Sequence, residues 1–168
     1  MIYDSLLLLA GYVDAAGVLQ AERFSAVGAT ASINAIPTGL DRTSSAYVVD
    51  ATGRDFGDGT RIKGVLRVTS SPAGSGTIAI ELVAADDEDF VTNLVRLSRT
   101  ADFTPAQLPL GAFINVSINS QRDQPRRFIG IRVVISGAAL SSALGLFGGI
   151  ALHGDSINQA FNTRWGIK

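Results

Sequence analysis

From residue 61 onward, apolar and polar positions alternate with a period of two. That is the spacing of a strand, whose successive side chains point to opposite faces. In Arg61 to Val68, Ile62, Leu66 and Val68 share one face while Arg61, Lys63 and Arg67 share the other. The pattern recurs downstream. Ile78, Ile80 and Leu82 alternate with Thr77, Ala79 and Glu81, and Ile114, Val116 and Ile118 with Asn115, Ser117 and Asn119. Ile129, Ile131, Val133 and Ile135 stand opposite Phe128, Arg132 and Val134, and Leu144, Leu146, Ile150 and Leu152 share a further parity. Segments 24–36, 44–50 and 90–99 are weaker strand candidates.

Turn chemistry separates these runs. Gly53 to Gly59, Ser70 to Gly76, the acidic Asp86 to Asp89, Thr104 to Gly111, Gln121 to Arg126 and Gly137 to Ser142 carry the Gly, Pro and small polar residues that reverse a chain. About eight short strands with no long helical period predict an all-β, antiparallel, jelly-roll-like β-sandwich. Helix is expected at most over residues 4–12, limited by Gly11 and Gly17. The chain reads as one domain over 1–168: an extended N-terminal arm (1–20), a sandwich (21–153) and a C-terminal tail (154–168).

Composition narrows the function classes. The chain has 168 residues, 46% hydrophobic and only 17% charged, with a net charge of −1. A core large enough to fold without staples is expected, together with a lightly charged surface suited to a partner. The charge balance argues against nucleic-acid binding. The absence of cysteine excludes thiol catalysis and thiolate metal sites. Residues 1–10 lack the basic start of a signal peptide, and no apolar run reaches membrane-spanning length. A soluble, unprocessed chain with no membrane partner is the expectation.

Candidate chemistry is sparse. His153 is the sole histidine, and no serine sits in a nucleophile-elbow context. Asp50, Asp55 and Asp58, and Asp86 to Asp89, offer calcium-type oxygens without the spaced ligands of an EF-hand; solvated turns account for both. No cofactor or metal and no enzymatic activity is expected. Apolar ends suit contact with a neighbour, with Tyr3, Leu6, Leu8 and Tyr12 at one end and Phe161 and Trp165 at the other. Arg126 and Arg127 would form a polar rim.

Ordered motifs run from Tyr47 to Asp155. Val48-Val49-Asp50-Ala51-Thr52-Gly53-Arg54-Asp55 leads through Gly57-Asp58-Gly59 into Ile62 to Val68. Glu81-Leu82 leads into Asp86-Asp87-Glu88-Asp89-Phe90, Arg126 to Gly137 is an Arg-rich, Ile/Val-rich strand, and Leu144 to Asp155 closes the series. In this order the chain resembles the jelly-roll capsid cement (decoration) proteins of short-tailed phages, typified by a Bordetella phage cement protein. Residues 13–40 have no counterpart in that pattern. The resemblance implies a structural protein on the outer capsid surface of a virion, bridging major capsid protein subunits. It also implies self-association, with a dimer favoured over a trimer. A phage carbohydrate- or receptor-binding module on the same fold is the alternative.

Overall fold

A computed structural model describes residues 8–37, 62–118 and 126–151. Their backbone forms twelve strands and one short 3-10 turn at Pro105–Gln107. The strands are β1 (Leu8–Ala10), β2 (Tyr12–Val13), β3 (Leu19–Gln20), β4 (Glu22–Phe24), β5 (Gly28–Ala31) and β6 (Ile36–Pro37). They continue with β7 (Ile62–Ser70), β8 (Thr77–Ala85), β9 (Val95–Arg99), β10 (Phe113–Ile118), β11 (Phe128–Ser136) and β12 (Leu144–Ala151).

The five long strands, β7, β8, β10, β11 and β12, are those the period-two pattern predicts. They distribute over two antiparallel sheets. The first runs β1-β12-β7-β10, with β4 also on β12. The second runs β5-β11-β8-β9, with β6 also on β11. From β4 the chain changes sheet at each connection except β5–β6 and β8–β9.

One core lies between the sheets. Leu66, Val68, Ile114, Val116, Leu144 and Leu146 come from the first, and Ile78, Ile80, Leu82, Ile129, Ile131, Val133 and Ile135 from the second. Each such side chain, fully removed from water, contributes about 1.5–3 kcal/mol. Facing sheets each supply one parity of their strands, so the alternation in sequence is the imprint of this core.

Three expectations are corrected. Residues 4–12 do not begin a helix where they are described. Leu8, Leu9 and Ala10 form β1 against Gly148 and Gly149 of β12, all three are buried, and Gly11 at φ 99° ends the strand. A helix that short forfeits more than it gains, whereas three consecutive apolar residues suit a strand covered on both faces. This stretch is therefore part of the sandwich and not a free arm. Segment 24–36 is not one strand. Its pieces join different sheets, β4 on β12 and β5 on β11, and the chain crosses over before Gly28, whose φ is 113°. Segment 90–99 is a strand only from Val95, because Phe90 and Asn93 take left-handed backbone angles. The predicted strand 44–50 and the tail lie outside the described residues.

Candidate functional site

The outer face of the second sheet should be the wet one by parity, yet it is partly closed. Pairing of β8 with β11 sets Arg132 beside Glu81, and pairing of β8 with β9 sets Arg99 on its other side. Along β9 the register passes from Ser98 opposite Leu82 to Arg96 opposite Val83, which leaves Leu97 as an extra residue. Residues three apart in a regular strand face opposite ways. This bulge lets Arg96 and Arg99 serve the same face.

Glu81 is consequently 3% exposed, although charged. Its Oε2 accepts from Arg132 Nε at 3.0 Å and Nη2 at 2.7 Å. Its Oε1 accepts from Arg96 Nη1 at 3.3 Å and lies 3.5 Å from Arg99 Nε. Arg99 Nη2 also donates to Asp102 at 2.6 Å. Three guanidinium groups thus share two carboxylates, and a buried carboxylate is tolerable only with such partners.

Toward the C-terminal end of β8, Val83 and Ala85 on this face are covered by Phe90, with Ala31, Ala35, Leu94 and Phe128 packed around them. The ring seats on Gly130 of β11. A Cβ there would overlap it, lying 2.7 Å from Phe90 Cε2. The loop carrying Phe90 is tied by Asp87, whose carboxylate accepts from the backbone N–H of Val91 at 2.9 Å and from that of Thr92. Hydrogen bonding by Thr92 first, then by Val91, holds the Asp87 carboxyl below the ordinary carboxylate range. Asp86 Oδ2 accepts from Asn93 Nδ2 at 2.8 Å. These two acids of the 86–89 cluster therefore organise their own turn. Among the described residues no three His, Cys, Asp or Glu side chains converge on a metal-sized site. Toward the other end the face is low, a row of Ala29, Val134 and Ala79 in register.

A second feature is the β2–β3 ribbon against the first sheet. Gly11 brings the backbone onto the Phe147 ring of β12, and Asn34 Nδ2 donates to Gly11 O. Asp14 closes the tip, accepting from the N–H of Ala16 at 3.0 Å and of Val18 at 2.8 Å and from Gln20 Nε2 at 2.8 Å. Its carboxyl is held below the usual range, chiefly by Gln20 and then by Val18. Tyr12, Val13 and Val18 remain exposed on this ribbon.

The anchor residues expected from sequence are not gathered at one place. Leu8 is corrected: at 2% exposure within its own sheet it offers nothing to a partner. Tyr12 is 44% exposed. Arg126 and Arg127 lead into β11 of the other sheet; Arg126 Nε donates to Asn93 O at 2.9 Å, and the Arg127 guanidinium stands 5.6 Å from the Phe128 ring centroid. Tyr3, Leu6, Phe161 and Trp165 lie outside the described residues, as do His153 and the Asp50, Asp55 and Asp58 group. The Glu81, Arg96, Arg99 and Arg132 cluster escaped the sequence reading. Its members are up to 51 positions apart, and the bulge that aligns two of them leaves no period-two signal.

Compared with known proteins, the chain matches no protein-family model and no curated protein.

Proposed function

We propose that the chain is a capsid cement (decoration) protein, a non-enzymatic subunit that binds the outer surface of an icosahedral phage shell and bridges its major capsid subunits. The observation that carries this reading is the way two resembling motifs interlock. The acidic turn closed by Phe90 seats its ring on Gly130 of the Arg-rich strand, and Glu81, which opens the same motif, pairs with Arg132 of that strand. Motifs about forty residues apart in the chain thus form one unit on one face.

The strand order supports a jelly roll. Taking β4 and β1 together as strand one and β5 with β6 as strand two, the sheets read 1-8-3-6 and 2-7-4-5. Two interleaved Greek keys give this order, with the only in-sheet connection between consecutive strands joining four and five. Bridging then acts through mass action. A ligand that binds the assembled shell and not free subunits stabilises the shell in proportion to RT ln(1 + [L]/Kd), and symmetric copies multiply a modest contact. Self-association, with a dimer favoured, belongs to the same reading.

Expanded, undecorated shells of the phage that encodes the chain, incubated with purified protein and imaged by electron microscopy, test the role. Extra density at regular outer-surface positions is expected, with a raised shell melting temperature. Bare shells at micromolar protein would remove the reading.

A carbohydrate- or receptor-binding module is the second reading. It rests on a cross-strand pair on the outer face of the first sheet, where Phe113, 43% exposed, stands in register with Arg67. An aromatic face beside a guanidinium suits a sugar ring. Reproducible glycan-array binding, abolished by Phe113→Ala, would favour it.

A further inference from the structure

We infer that the outer face of the second sheet is a protein-docking surface, on which Arg96 and Arg99 receive a carboxylate side chain of the partner while Ala29, Ala31 and Val134 take the apolar residues beside it. This rests on the cement reading and specifies which side of the subunit meets the shell and what chemistry the shell presents there.

The argument starts from donors and acceptors. A guanidinium has five N–H donors. Arg132 directs two contacts to Oε2 of Glu81, and Arg99 divides its own between Glu81 and Asp102. Arg96 contributes one contact, at 3.3 Å, and its side chain is 59% exposed. The cluster carries three cations and two anions, so one positive charge is in surplus, and Arg96 is its exposed end. Its contact to the buried carboxylate of Glu81 biases that end toward this position while leaving most of its donors to a partner. An arginine partly held by a neighbour forfeits less side-chain freedom on binding, and arginines are enriched among residues that dominate interfaces.

Two further observations define the partner. The register row Ala29–Val134–Ala79 beside the cluster carries only apolar side chains, with Ala29 exposed, Val134 half-buried and Ala79 buried at its β8 end, a surface that accepts apolar groups at close approach over Ala29 and Val134. The loop on the same face carries Asp86, Asp87, Glu88 and Asp89, of which Glu88 and Asp89 are exposed. A polyanion such as a nucleic-acid backbone would meet these charges as well as the arginines. A single carboxylate flanked by apolar residues satisfies the surplus cation while setting only one negative charge against that loop.

The test compares wild-type protein, Arg96→Ala, Arg96→Glu and a control, Arg23→Glu, on the exposed side of β4 in the first sheet. Each is titrated onto the same expanded, undecorated shells at about 0.1 M salt, after thermal melts show that all four fold alike. Arg96→Ala should weaken binding about thirtyfold, the size of an interface-dominating arginine. Arg96→Glu should weaken it further, and Arg23→Glu should leave it within twofold. If wild type binds and the Arg96 variants match the control, this face is not the docking surface, while the cement reading stands. If wild type leaves the shells bare, the cement reading falls and this inference with it.

Discussion

Removing the charge of Glu81 while keeping its shape is the most direct probe of the closed outer face. In Glu81→Gln, Arg132 exchanges two bonds to a carboxylate for at most one to an amide oxygen. Charge-assisted bonds contribute about 1.5–3 kcal/mol each when shielded. Arg132 retains 25% side-chain exposure and Arg99 34%, so solvent screening brings the two Arg132 bonds below even that lower end, to about 2 kcal/mol together. Arg99 and Arg96 add about 0.5 kcal/mol each or less, since they are solvated. The amide returns about 1 kcal/mol as a neutral bond. The net expectation is about 2 kcal/mol of destabilisation. At this chain length that is a fall in Tm of about 4–8 °C. Urea denaturation followed by circular dichroism at pH 7 measures it as a lower midpoint with unchanged slope. A double-mutant cycle with Arg132→Gln sharpens the result: the double variant should be more stable than the sum of the singles implies, by at least about 1 kcal/mol. Additive effects, or a Glu81→Gln midpoint shift worth under about 0.5 kcal/mol, would refute the shared-carboxylate account.

Two further predictions follow from the loops. Gly130→Ala should destabilise the sandwich by about 2 kcal/mol through overpacking against the Phe90 ring, but by clearly less in a Phe90→Ala background, where the ring is gone and the Asn34 carbonyl oxygen, 3.0 Å from that Cβ, is the close neighbour left; urea midpoints of the four proteins decide it. The Asp14 carboxyl is held below its ordinary value by Gln20 and Val18. A depressed folded value means stability that is present above the unfolded carboxylate range, about pH 4, and lost as pH falls through the folded value. Hydrogen exchange corrected for intrinsic rates should therefore show Val18 N–H protection falling below about pH 4, and Asp14→Ala should remove that dependence while leaving the sandwich melt unchanged.

How far each element was legible depends on whether its cause is local. The long strands β7, β8, β10, β11 and β12 follow from backbone geometry, since alternate residues must face alternate ways; that pattern is written residue by residue and needs no knowledge of partners. Among the described residues, the turns after β7, β9 and β11 follow likewise from Gly and Pro. The strand at Leu8–Ala10 was not legible, because three apolar residues are as consistent with a helical turn as with a strand until β12 supplies Gly148 and Gly149 beside them. Of the candidate contact residues, Leu8 was lost to the core for that reason, while Tyr12 keeps its exposure on the ribbon.

The outer face of the second sheet divides the two contributions most clearly. Alternation assigns Ala79 and Glu81 correctly to the side away from the core. It cannot say that this side closes over Glu81. That required β11 to bring Arg132 alongside, β9 to bulge at Leu97 so that Arg96 and Arg99 arrive together, and Phe90 to fold onto Gly130. Sequence determined which face each side chain takes in the long strands β7, β8, β10, β11 and β12, because period two belongs to the strand alone. Only the tertiary structure decided what meets it there, because register between strands is fixed by the whole core and by the loops that join it.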